Sequence, residues 1–222
     1  MEKKIKIGAS LICANFAHLE KDIREMEEAG VDYIHFDIMD GHFVPNYCLN
    51  LDFLRLVKSL TDIPVDVHLM IDNPDVFIPV FTKENPHALS FQQETEYHIQ
   101  RQLSYIREQG ILSGLAVSPG TPLNIYEYLL TDIDIFLIMT VNPGFAGQKI
   151  VPATIKKVEH MRNKLEKAGI EAEIQVDGNV SFENIPQLVS AGATMLVGGT
   201  SSVFKKGMTI KDAVQKIRDL LA

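Results

Sequence analysis

Three short segments of this 222-residue chain set acid–base and metal-ligating side chains at regular intervals. They are His35-Phe36-Asp37-Ile38-Met39-Asp40, Asp66-Val67-His68-Leu69-Met70 and Gln175-Val176-Asp177-Gly178. In an extended chain alternate residues share a face, so His35 sides with Asp37 and Asp66 with His68. Two imidazoles and two carboxylates, His35, Asp37, His68 and Asp177, form a plausible N₂O₂ set for a divalent cation. A lone histidine in an apolar strand is ordinarily a hydrogen-bonded core residue; four such groups at three strand ends favour the metal reading. Asp66 is expected to orient His68 from behind or to pair locally. Asp40, His42 and Asp72 fall in turns and read as structural. His18, His87, His98 and His160 fall in helical or irregular stretches and carry no chemical expectation.

A second kind of signal comes later in the chain. Asn142-Pro143-Gly144-Phe145-Ala146-Gly147-Gln148, Asp177-Gly178-Asn179 and Gly198-Gly199-Thr200-Ser201-Ser202 each follow an apolar run. Glycine lets backbone N–H groups approach an anion, and hydroxyls add donors. Singly each is a turn; together at neighbouring strand ends they predict a phosphate site. Met39, Met70 and Met139 also close strands, where packing is their default role and a soft lining beside a reacting carbon the alternative.

The elements that would position these groups follow one spacing. Helix-like segments end at Gly30, Gly110, Gly169 and Gly192, and a β-rich run follows each almost at once. Glycine past a helix end suits the left-handed conformation there, and continuous apolar runs suit parallel strands buried on both faces. Strands are predicted near residues 5–11, 33–39, 65–70, 88–92, 112–117, 135–141, 174–177 and 195–198. Amphipathic segments are predicted at 16–29, 51–60, 76–83, 99–109, 123–130, 153–168, 182–191 and 210–221. About eight strand–helix pairs in one domain spanning residues 1–222 predict an α/β fold, a (β/α)₈ TIM barrel. Its functional groups sit at the C-terminal strand ends. No G-x-G-x-x-G follows the first strand, which removes the main support for a dinucleotide-binding fold.

Composition sets the outer bounds. A net charge of −8 argues against nucleic acid or an anionic membrane as partner, without excluding a phosphorylated substrate held by backbone amides. No apolar run approaches the ~20 residues of a bilayer span. The segment after Met1 lacks the pattern of a signal peptide, and two cysteines make no disulfide framework, so a cytoplasmic setting is expected.

These motifs, with Ala9-Ser10-Leu11 and the continuation Gly41-His42-Phe43-Val44-Pro45-Asn46, resemble the ribulose-phosphate 3-epimerase family from Ile7 to Phe204. The resemblance implies a metal-dependent isomerase of the ribulose-phosphate-binding barrel type, acting on a phosphorylated ketose. It implies one divalent ion (zinc, iron, manganese or cobalt) on His35, Asp37, His68 and Asp177. Asp37 and Asp177 would be the acid–base pair, passing a proton through an enediolate that the metal stabilises. Ser10, His68, Gly144, Phe145, Ala146 and Gly147 would contact substrate, and Gly178, Asn179, Gly199 and Thr200 would surround the phosphate. The implied reaction converts D-ribulose 5-phosphate to D-xylulose 5-phosphate within pentose phosphate metabolism.

Three departures bear on substrate length. Asn179 stands where the family commonly has glycine, Gln92 where it usually has histidine, and the segment 199–204 is one residue longer than usual. The longer form resembles the related D-allulose-6-phosphate 3-epimerases, so a hexose phosphate converted to D-fructose 6-phosphate is the alternative. A decarboxylase or aldolase of related barrels would carry Lys in a D-x-K-x-x-D motif, and Asp37-Ile38-Met39-Asp40 has none; a Schiff-base aldolase would likewise need Lys at a strand end. An inactive sugar-phosphate-binding barrel would be favoured by loss of an acid–base aspartate, and both are present. A homo-oligomer is the default expectation.

Overall fold

The structure, a computed structural model, describes residues 4–221. Eight parallel strands close on themselves: β1 (Lys6–Ser10), β2 (Tyr33–Asp40), β4 (Val65–Met70), β5 (Ala88–Gln92), β6 (Leu112–Val117), β7 (Ile135–Met139), β8 (Glu173–Asp177) and β9 (Met195–Gly198). β1 pairs with β9 on one side and β2 on the other, which closes the sheet into a barrel. This is the (β/α)₈ architecture the strand spacing predicts. A further two-residue strand, β3 (Tyr47–Cys48), folds back antiparallel on the end of β2.

The helices are α1 (Leu19–Ala29), α2 (Leu51–Leu60), α3 (Pro74–Thr82), α4 (Ile99–Glu108), α5 (Ala153–Ala168), α6 (Ile185–Ser190) and α7 (Ile210–Leu220). Their ends follow local chemistry. Asn50 caps α2 through its side-chain oxygen on the Phe53 N–H (2.9 Å), and Thr209 does the same for α7 on the Asp212 N–H (3.1 Å). Gly30 and Gly169 end α1 and α5 at φ of 69° and 66°, in the left-handed region. No helix among the described residues is long and apolar enough to cross a membrane.

Two expected helices differ. Residues 123–130 form only a 3₁₀ turn, Asn124–Tyr128. There the buried Tyr126, packed at a tilt against Phe136 with ring centroids 5.3 Å apart, anchors the segment to the core, so a single turn suffices. α6 is shorter than 182–191 because Asn184 closes a turn onto the Ser181 carbonyl and Pro186 then starts the helix.

Alternation along the strands sorts the side chains into two layers. Phe36, Val67, Leu89, Phe91, Leu115, Phe136, Ile138, Ile174 and Val176 join helix residues such as Leu54, Leu103, Met161 and Ile217 in one apolar cluster outside the barrel wall. The opposite faces are far more polar. Ser10, His35, Asp37, Asp66, His68, Ser90, Gln92 and Gln175 are all buried, and only small apolar clusters such as Ala116, Leu137 and Met139 share that side.

Candidate active site

The polar layer is built by strand register. β1 pairs with β2 so that Ser10 meets His35, and β2 with β4 so that His35 meets Asp66 and Asp37 meets His68. Neighbouring strands lie about 4.8 Å apart, closer than residues two apart on one strand, so contacts run across strands. Asp66 accordingly accepts from His35 Nδ1 (2.8 Å), not from His68 as alternation on its own strand suggested. The same Oδ2 of Asp66 accepts from Gln175 Nε2 (2.5 Å). His68 Nδ1 lies 3.2 Å from Asp37 Oδ1, and Ser10 Oγ donates to Asp37 Oδ2 (3.3 Å).

His35, Asp37, His68 and Asp177 each turn one ligating atom into a common space, all within 4.8 Å of one another. His35 Nε2 is 3.3 Å from Asp37 Oδ1, yet it is buried with no hydrogen-bond partner while its other nitrogen is held by Asp66. An imidazole so held and so orphaned fits the place of a metal ligand.

Electrostatics separates the two carboxylates facing that space. Burial alone would raise the Asp37 carboxyl, but His35 and His68, through charge and hydrogen bonding, hold it below the usual carboxylate range. Burial also raises Asp177, where the negative charge of Asp37 adds to the effect, and its pKa is pushed up to about 6. Burial opposes a charge on His35, but Asp37 and Asp66 outweigh it and raise this imidazole well above its ordinary value. The interior thus favours positive charge between its carboxylates.

Above this cluster lies a cavity at the C-terminal mouth of the barrel. Asp37 and Asp177 reach it, with Ser10, Met39, Met70 and Met139, while the loops bring Gly144, Phe145, Ala146, Gly147, Gly178, Asn179, Gly199 and Thr200 to its walls. His35 and His68 are fully buried beneath it. Gly178 has φ of 110°, and a Cβ there would stand 2.4 Å from Val141 Cγ2, so a side chain does not fit. Asn179, at φ of 48°, takes the left-handed conformation, which asparagine tolerates better than most residues. Its side chain is committed sideways, donating to the Gln148 carbonyl (2.7 Å) and accepting from Asn184 Nδ2 (2.8 Å). Phe145 is half exposed at the rim.

Some supporting residues had no expected role. Asn46 donates to the Gly144 carbonyl (2.9 Å), tying the loop after β2 to the loop after β7. Thr140 donates to the Asp177 carbonyl (2.9 Å), and Gln148 donates to the Phe145 carbonyl (2.9 Å) within its own loop. Gln175 was visible only as the alternate neighbour of Asp177, and that two-residue spacing was the available signal. Cys13 lines the cavity, with its thiol pushed up to about 11 chiefly by burial. Asp40, read as structural, staples the loops: its carboxylate accepts from the N–H groups of His42 (2.8 Å), Phe43 (3.0 Å) and Asp72 (2.7 Å).

Residues 6–204 match the profile of the ribulose-phosphate 3 epimerase family. The chain belongs to that family. It is therefore an isomerase, a carbohydrate epimerase by class. Similar proteins named ribulose-phosphate 3-epimerase include one from Bacillus subtilis, 40% identical over 215 residues, covering 96% of this chain and 98% of that one. One from Methanocaldococcus jannaschii is 41% identical, covering 97% and 90%, and one from Escherichia coli K12 is 35% identical, covering 99% and 97%. Among solved structures, a tryptophan synthase alpha-subunit from Pyrococcus furiosus superposes with a TM-score of 0.69 at 13% identity, covering 100% of this chain and 99% of that one. A thiamine phosphate pyrophosphorylase from the same organism gives 0.63 at 13% identity, covering 98% and 95%. At such identity these two speak for the barrel and for nothing chemical.

Proposed function

We propose that the protein inverts C3 of D-ribulose 5-phosphate to give D-xylulose 5-phosphate, using Asp37 and Asp177 as a proton-transfer pair beside a divalent cation. The observation that carries this is the convergence of His35, Asp37, His68 and Asp177 within 4.8 Å below the cavity. Inverting a carbon beside a ketone removes a proton from one face and returns one to the other, so it needs two acid–base groups on different strands. Asp37 on β2 and Asp177 on β8 meet that need. One begins as carboxylate and takes the C3 proton, leaving a planar enediolate; the other begins as carboxylic acid and protonates the opposite face. Their roles exchange when the reaction runs backward.

His35, Asp37, His68 and Asp177 would hold a divalent ion, which would supply Lewis acidity toward the oxygens that gain negative charge. Zinc, iron, manganese and cobalt all suit such donors. Asp66, itself held by Gln175, orients His35 from behind, and Ser10 holds one oxygen of Asp37. Met39, Met70 and Met139 line the cavity with apolar surface. The turns around Gly144–Gly147, Gly178–Asn179 and Gly199–Thr200 would hold the phosphate.

The pentose is favoured over D-allulose 6-phosphate because the similar proteins are named ribulose-phosphate 3-epimerase. One of the departures that bear on substrate length, the Asn179 side chain, is also spent on Gln148 and Asn184, which leaves the longer 199–204 segment as the feature that favours the hexose. Asp37→Asn and Asp177→Asn should fold normally yet abolish exchange of the C3 hydrogen with solvent deuterium. Near-normal exchange in both variants would refute the pairing. Specificity constants for the two sugar phosphates should favour the pentose; a preference for the hexose would overturn that choice.

A further inference from the structure

The C-terminal end of β5 holds a polar group that proton transfer does not use. Gln92 is fully buried, with Nε2 3.0 Å from His68 Nε2, and its Oε1 is buried without a hydrogen-bond partner. The opposite ring nitrogen of His68, Nδ1, lies 3.2 Å from Asp37 Oδ1. These contacts form one row: Asp37, the His68 ring, the Gln92 amide.

With the carboxamide turned this way the row admits a single arrangement of protons. An amide nitrogen only donates, so the contact is a hydrogen bond when His68 Nε2 is bare and accepts. The ring proton then sits on Nδ1 and is donated to Asp37. A cation held by His68 and Asp37 together would need the lone pair of that same Nδ1, and a neutral ring engaged there would carry its one N–H on Nε2. There it would face the Gln92 NH₂, donor against donor, inside a buried site where an unmatched donor is costly. Turning the carboxamide by about 180° around its last torsion brings Oε1 to Nε2 and removes the conflict. The terminal torsion of glutamine is broad and two-fold, so the turn needs no backbone movement.

We infer that Gln92 is a positioning residue for His68 whose amide reverses when the metal site fills, matching one tautomer of the ring with Nε2 and the other with Oε1. The orphaned Oε1 is the face held ready for the metal-loaded state. This rests on the metal reading above, and the test separates the two.

Zinc alone is titrated into the metal-stripped protein, into Gln92→Met, which keeps length but has no comparable acceptor, and into Gln92→Glu, which keeps the acceptor and loses the donor. Affinity is measured by competition with a zinc-sensitive chelating dye. The ¹⁵N signals of the His68 ring and of the Gln92 side-chain amide are followed by NMR. Gln92→Met should bind zinc about tenfold to a hundredfold more weakly, the usual effect of losing a group that orients a metal ligand. Gln92→Glu should recover most of that loss, which simple packing would not predict. In the unsubstituted protein the His68 proton should pass from Nδ1 to Nε2 on zinc addition, and the Gln92 NH₂ signals should shift with it.

Unaltered zinc affinity in Gln92→Met, or amide signals that stay put as zinc binds, would overturn this inference and leave the metal reading standing. Absence of zinc binding by the unsubstituted protein would overturn both. Should Gln92→Met fail to fold, the NMR titration of the unsubstituted chain and the Gln92→Glu affinity still decide. The Gln92→Glu variant must then bind zinc nearly as tightly as the unsubstituted protein, and a loss of about tenfold or more would count against the inference.

Discussion

Replacing Asp66 separates the charge of the interior network from its hydrogen bonds. Both bonds that Asp66 accepts, from His35 Nδ1 and Gln175 Nε2, end on Oδ2, while Oδ1 has no partner. Asp66→Asn can place its amide oxygen where Oδ2 lies and keep both bonds, so chiefly the negative charge is lost. Metal-free stability should then fall by no more than about 1–3 kcal/mol, since the new NH₂ stands without an acceptor where Oδ1 was and relief from burying a charge offsets part of that cost. Affinity for zinc should fall about 10- to 100-fold, roughly 1.4–2.7 kcal/mol, because His35 becomes a less basic ligand. Asp66→Ala removes the acceptor altogether and leaves two buried donors unmatched, at about 1–3 kcal/mol each, so a loss of about 2–6 kcal/mol is expected. Urea unfolding of metal-free protein measures the first effect and dye competition for zinc the second. If the Asn variant loses as much stability as the Ala variant, or if neither loses zinc affinity, the His35–Asp66 pair does not orient a ligand and the reasoning fails.

Exhaustive chelation should abolish epimerisation and added divalent metal should restore it; full turnover by a preparation shown to be metal-free would contradict the metal assignment. Cys13 and Cys48 both have thiols pushed up to about 11, chiefly by burial, against an ordinary value of 9.0. Two units mean about 100-fold less thiolate near neutral pH, so a thiol reagent should label the folded protein about 100-fold more slowly than the urea-unfolded chain. Equal labelling rates would sink that expectation. Lys157 Nζ donates to the carbonyls of Ser118 (2.8 Å), Pro119 (2.7 Å) and Thr121 (2.7 Å), gathering the loop after β6. Since the side chain is only half-buried, Lys157→Met should cost about 1–2 kcal/mol, lowering the melting temperature by roughly 2–8 °C. An unchanged melting curve would show that water replaces those bonds. Asp40→Ala frees three loop N–H groups and should raise the protease sensitivity of residues 40–48 before it alters global unfolding.

How much of this was written in the chain depends on the range of the interaction. Strand existence followed from apolar runs bounded by glycine, and the placing of His35 with Asp37 from a period of two, both local patterns. The convergence of those groups with His68 and Asp177 needed only the rule that a closed barrel gathers its strand ends. What escaped was set by contacts between strands. Asp66 serves His35 because register, not alternation, makes them neighbours. The length of the 124–128 turn is set by Tyr126 meeting Phe136, whatever the periodicity around it. Asn179 reads as an added group in the phosphate loop, yet the Gln148 main-chain carbonyl and the Asn184 side chain draw its side chain aside. β3 is too short for any periodic signal, and Gln92 read as a mere departure until the His68 ring stood beside it.

The division of each strand between an apolar outer row and a polar inner row has a consequence for how such a protein can change. Cohesion resides mostly in the outer row and its helices, reactivity in the inner row and the loops above it. Substitutions that recast the inner row leave the scaffold's adhesive surface intact, so new chemistries can be tried on an old wall wherever the buried polar groups around them stay matched. Two consecutive residues of one strand, Phe36 and Asp37, answer to different selective demands.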